Sequence, residues 1–155
     1  MNIFQELRQQ YTEIDNLFGV KEFNASVRGY NRKEESWRRK RFLNDHAYFL
    51  FLFTRIEDYI RDVSSRLIIN KQRTLTKWSV KRAWDIFPKE KNSQRLHFME
   101  RVALLTSKGG SDFNLVKRYY DLRNTIAHGG SFSAPVDIPA VISDMERLHK
   151  ILKPK

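Results

Sequence analysis

The chain has 155 residues, 41% hydrophobic and 13% aromatic, which is enough to bury one compact core and hardly enough for two. Twenty-nine Lys and Arg against 18 Asp and Glu leave a formal net charge of +11, which points to polyanionic partners, nucleic acid first and an acidic protein as the alternative. Cysteine is absent, so disulfide frameworks, thiolate zinc sites and thiol nucleophiles are excluded together.

The opening residues, Met1 to Glu6, lack the basic-then-apolar layout of a signal peptide. The longest apolar run, Ala47 to Phe53, is far too short to span a bilayer. A soluble, cytoplasmic protein with no membrane partner is expected. Six glycines and four prolines are few for a turn-rich sandwich or barrel, which favours helices.

In chain order, Phe4, Leu7, Tyr11, Ile14 and Phe18 recur at steps of three and four, predicting an amphipathic helix stopped by Gly19. Residues 19–36 carry no clear period and hold Arg28, Arg32 and Lys33, so they read as a basic connector. Phe42, Phe49, Phe53, Ile56, Ile60, Val63 and Leu67 predict a long helix from about residue 37 to 69. Within it, Ala47 to Phe53 is apolar on every face and must be covered all round, by the middle of a bundle and by a second subunit. A shorter helix is expected around 75–87, closed by Pro88, with Trp78 and Trp84 either turned to the core, the commoner case at helical spacing, or stacking on bases beside Lys77, Lys81 and Arg82. Another runs from about 93 to 107, with Leu96, Met99 and Ala103 inward and Gly109-Gly110 as its stop. Asp112 caps the next, which extends to His128 with Leu115, Tyr119, Leu122 and Ile126 inward, and Gly129-Gly130 end it. After a loop over 131–136, a last helix from Asp137 buries Ile138, Val141, Met145, Leu148 and Leu152. The expectation is a single all-α domain, an antiparallel bundle of five to six helices around a long central one. Residues 1–36 form its first helix and connector, and 37–152 its core.

On the helix from Asp112 to His128, Lys117, Asp121, Asn124 and His128 follow steps of four, three and four and line one polar face, with Arg123 beside it. His128 falls in the last turn, where the helix end favours an imidazolium and Arg123 opposes it, a placement suited to acid–base chemistry. The two glycines that follow leave the helix end open to a ligand.

The stretch Tyr120-Asp121-Leu122-Arg123-Asn124-Thr125-Ile126-Ala127-His128-Gly129, placed before the last helix of a bundle, resembles the R-x4-6-H motif of HEPN domains. The long helix with Phe53-Thr54-Arg55-Ile56-Glu57-Asp58-Tyr59-Ile60 is similar to the HEPN helix that carries an acidic residue within an aromatic face. The resemblance covers roughly residues 40–152, and among HEPN branches the prokaryotic toxin and defence groups, including the RiboL-PSP type, look nearest. The interval alone is unspecific: Arg41 and His46 repeat Arg-x4-His inside the long helix, and Arg39 to His46 spans six residues. The Asn at the second position, the Gly-Gly stop and the place before the final helix set the 123–128 copy apart. One departure stands out. HEPN toxins paired with nucleotidyltransferase antitoxins typically carry His-x-Tyr, and this chain has Gly130 at the tyrosine position.

The resemblance implies a metal-independent endoribonuclease, a toxin or antiviral defence effector, that uses the RNA's own 2′-hydroxyl as nucleophile. His128 would move the proton, Arg123 would hold the phosphate, and Asn124 would bind the phosphate or orient His128. On one helix Arg123 and His128 point about 140° apart, so two copies across a two-fold axis would complete one cleft in a homodimer. An antitoxin or defence-system protein is a further expected partner. Asp121 and Lys117 are supporting candidates; Glu57 either orients Arg123 or pairs with Arg61 one turn on. The charge run 28–41, with Arg38, Arg39 and Arg41, is the expected RNA footprint, and His46 is a structural histidine. No Gly-rich phosphate loop, metal-spaced cluster or Ser-His-Asp arrangement stands out, so no cofactor or metal is expected. The alternative is a catalytically silent HEPN module that binds RNA, nucleotide or a partner protein.

Overall fold

The computed structural model describes residues 3–130 and 136–153, and every regular element among them is a helix. The chain is an all-α helical bundle. Its helices are α1 (Ile3–Val27), α2 (Asn31–Thr74), α3 (Trp78–Asp85), α4 (Phe98–Leu105), α5 (Ser111–Ala127) and α6 (Ile138–Ile151). Among the described residues no helix is long and apolar enough to cross a membrane.

The chain divides into two compact units, and α2, α5 and α6 each contribute residues to both. The first unit comprises 1–52 and 123–146. In it α1 runs antiparallel to the first half of α2, as the order of their contacts shows. The Tyr11 hydroxyl donates to Asp45 at 2.8 Å, the Arg41 guanidinium grips Asp15 at 2.8 and 3.0 Å, and Arg38 reaches Glu22 at 3.0 Å. Phe4, Leu7 and Tyr11 form the buried stripe of α1, and Phe49 and Leu52 that of this part of α2. Arg8 donates to the Ser143 hydroxyl of α6 at 2.9 Å.

The second unit comprises 53–122 and 147–155. Phe53, Phe98 and Tyr120, from α2, α4 and α5, gather into one aromatic cluster with ring centroids 5.1–6.2 Å apart. The Tyr59 hydroxyl donates to the Leu152 carbonyl at 2.7 Å, tying α2 to the end of α6. Arg101 of α4 is completely buried; it donates to the Ser64 and Ser65 hydroxyls, each at 3.1 Å, and to the Glu90 carbonyl at 3.0 Å.

The expected connector over 19–36 is the largest correction. α1 continues through Gly19 to Val27, and α2 begins at Asn31 rather than near residue 37. A mid-helix glycine costs only about 1 kcal/mol against alanine. Here α1 also lies along α2, with the Arg41 guanidinium carbon 3.8 Å from where a Cβ on residue 19 would stand. The stop is Gly29 instead. It takes φ 69°, its N–H reaches the Ser26 carbonyl, and the Tyr30 N–H reaches the Ala25 carbonyl, both at 2.9 Å. That is the Schellman closure, which needs a left-handed residue.

Smaller differences have equally local causes. α3 starts at Trp78, whose indole is 69% exposed under the Arg82 guanidinium rather than in the core. α4 starts at Phe98 because a capping box forms there, with the His97 N–H donating to Glu100 at 2.7 Å. Asp112 lies inside the first turn of α5 and accepts from Arg147 at 2.7 Å. Asp137 does cap α6, accepting from the Ala140 N–H at 3.0 Å. Of the loop expected at 131–136, residues 131–135 lie outside the described residues. Within the apolar run, Phe49, Leu52 and Phe53 are buried, whereas Phe51 is 42% exposed.

Candidate functional site at the end of helix α5

Arg123 and Asn124 belong to the last turns of α5, which ends at Ala127 rather than at His128; His128 is the residue directly after it, and all three lie in the first unit. α5 ends by the same device as α1. Gly129 takes φ 82°, its N–H reaches the Ile126 carbonyl at 3.0 Å, and the Gly130 N–H reaches the Thr125 carbonyl at 2.9 Å. His128 is therefore the last residue before the left-handed turn, its own N–H bonded to the Asn124 carbonyl at 3.1 Å and its side chain in solvent. Gly130 has no room for a side chain: an added Cβ would stand 2.7 Å from both the Thr125 carbonyl oxygen and its methyl. The glycine at position 130 is thus dictated by how this helix closes.

Arg123 and Asn124 are half-buried, and the Arg123 guanidinium donates to the Asn124 Oδ1 at 3.0 Å. Asn124 therefore holds the arginine through its amide oxygen. The structure brings Arg123 and Asn124 together; His128 projects from a different side of the same helix, about 140° from Arg123 by the helix repeat.

The other candidates fall as follows. Lys117 and Asp121 pair with each other one turn apart on the exposed face of α5. Glu57 accepts from Arg61 at 2.7 Å in the second unit. Arg38 is shared between Glu22 and Glu34, at 3.0 and 2.7 Å. Arg41 is shared between Asp15 and Glu22, and the hydrogen bonds it donates to Asp15 hold its guanidinium in the charged form more firmly than usual. Arg39 lies 5.7 Å from the Phe42 ring centre. His46 is buried, with Nδ1 2.7 Å from the Phe42 carbonyl, and has the structural character the sequence suggests.

Two features were not legible beforehand. Burial, reinforced by the hydrogen bond to Asp45, pushes the Tyr11 phenol well above its ordinary range, and burial also raises the Asp45 carboxyl. Burial and the nearby Arg61 charge lower the affinity of Arg101 for its proton. Both depend on neighbours distant in sequence. Among the described residues no three His, Asp or Glu side chains gather as a metal cage. Neither protein-family models nor characterised proteins nor solved structures match this chain.

Proposed function

We propose that the chain is a metal-independent endoribonuclease of the HEPN kind, working as a homodimeric toxin or defence effector. The observation that carries this reading is the end of α5, where an anchored Arg123 and an exposed His128 stand at a helix terminus closed by Gly129. The chemistry asks for little more. RNA supplies the nucleophile, His128 moves a proton to or from the reacting oxygens, and Arg123 offers a planar fork of donors to the phosphate. Asn124 fixes that fork.

The angle between Arg123 and His128 on one helix is the reason for a dimer, since a second copy supplies the missing partner. A suitable surface is available. Leu43 and Phe51 of α2, two turns apart on one stripe with Ala47 between them, are 50% and 42% exposed.

The test is cleavage of total RNA by purified protein in EDTA, beside a His128→Ala control. Wild-type cleavage that leaves 2′,3′-cyclic phosphate ends, lost in the control, is expected. His128→Ala should lower the rate by about 10²–10⁴ and Arg123→Ala by about 10²–10³, both variants remaining folded. His46→Ala, which shares the Arg-x4-His interval, should keep the chemical step. Cleavage of a substrate with a 2′-deoxy scissile nucleotide, or loss of activity only in the His46 variant, overturns the assignment. Binding without cleavage by any form would leave the silent module as the function.

A further inference from the structure

Six cations crowd the segment 32–41, but the fold uses them unequally. Arg38 and Arg41 are held by Asp15, Glu22 and Glu34. Lys33 and Lys40 lie against the rings of Tyr30 and Trp37, at 5.0 and 3.9 Å. Arg32 and Arg39 make no ion pair with a carboxylate among the described residues, and Arg39 lies 5.7 Å from the Phe42 ring centre, farther than the two lysines from theirs. They stand seven positions apart, two helical turns, and so share one face of α2 about 10 Å from each other along the axis. Ser36 lies between them. Arg32, Glu35, Ser36, Arg38, Arg39 and Phe42 line an open groove of about 690 Å³. Phe42 forms its apolar end, with its ring held 4.2 Å from that of His46.

We propose that this groove is a single-stranded RNA track, in which Arg32 and Arg39 hold successive phosphates and Phe42 offers the apolar wall for a base. The inference deepens the ribonuclease reading and rests on it for the identity of the polyanion. The spacing suits a backbone whose charges repeat every several ångströms. An open surface with cations along it and an aromatic ring at one end is an arrangement by which proteins follow single strands without reading sequence. Glu35 sits in the same groove and opposes the strand. It therefore sets the strength of binding, and its removal makes a gain that no folding defect can imitate.

The experiment is fluorescence anisotropy of the full chain with a labelled all-2′-deoxy-substituted RNA-sequence oligonucleotide, which binds but cannot be cut, across a range of salt. Arg32→Ala with Arg39→Ala should weaken binding by about tenfold or more and lower the salt slope by about 1.4, at about 0.7 per phosphate lost from a single strand. Glu35→Gln should tighten binding severalfold. Arg38→Ala should change affinity far less, because its charge is already compensated. An unchanged salt slope in the double variant, or a Glu35→Gln protein that binds no tighter, overturns the track. Preference for an acidic polypeptide over the oligonucleotide overturns it too. Cleavage intact in a double variant of unaltered affinity would sink this proposal alone; track binding with no cleavage by any form would sink the nuclease reading alone.

Discussion

Arg101 shows what a single buried side chain commits a fold to. Its guanidinium is wholly enclosed, bonded to two hydroxyls and a carbonyl, and its Nε has no hydrogen-bond partner among the described residues. None of those three acceptors carries a charge, so burial works against the cation. Arg101→Ala should cost about 2–5 kcal/mol, from the cavity and from the orphaned Glu90 carbonyl together. Arg101→Met should cost clearly less, since it fills the space and removes the charge. Urea midpoints of the two variants decide it, and equal losses would mean the charge itself is needed.

Tyr11 gives a second residue-scale prediction. Its phenol is more firmly protonated in the folded than in the unfolded state, because of burial and of the bond to Asp45. The stability this contributes is complete below the ordinary tyrosine value of about 10, and fades as pH rises toward the folded-state value. A spectrophotometric titration between about pH 9 and pH 11 should therefore be the same for the wild type and for Tyr11→Phe. A phenolate signal in that window that vanishes in the variant would contradict the placement.

At the scale of elements, α1 is held to α2 by charge as much as by apolar contact. Arg41 bridges Asp15 and Glu22, and its side chain is 39% exposed, whereas the Arg38 side chain is 65% exposed. Solvent weakens both pairs, the second more. Arg41→Ala should loosen α1 by about 1 kcal/mol and Arg38→Ala clearly less, read as the difference in hydrogen exchange along residues 12–25. The end of α5 is the other element that can be probed. Gly130→Ala forces a methyl against the Thr125 carbonyl, so the closing turn must open. Faster amide exchange at Gly129 and residue 130, with the rest of α5 unchanged, is the expected result.

At the scale of the whole molecule, the net charge of +11 is what the proposed reading draws on, and the internal pairing decides which cations are available. Assembly is the decisive property, because Arg123 and His128 diverge on their helix. Light scattering at micromolar concentration should give a homodimer. Phe51→Glu should yield a folded monomer that has lost cleavage, since Phe51 is exposed in the single chain. A monomeric wild type that cuts RNA would remove the composite site.

The helical class, the stripes of α1 and α6 and the cap at Asp137 were legible in the sequence, because each depends on residues within a few positions of one another, whereas in α5 Val116 is buried with Tyr119 in place of the expected Leu115, Leu122 and Ile126. The His128 helix end was legible for the same reason: a run of six residues and two glycines contains it. The helicity of residues 19–36 was not, since nothing local gives those residues a period. In the folded chain they continue α1 and open α2, and Glu22 there meets Arg38 and Arg41 of the neighbouring helix. Tertiary structure likewise chose Arg101 for the interior, left Trp78 outside, and divided one run of like charges into cations bound by the fold and cations turned to solvent. Sequence determines which residues form an element where a local period exists, and where chemistry can stand. Only contacts between elements determine which charges are already spent, because an ion pair takes its energy from proximity in space and not from order along the chain.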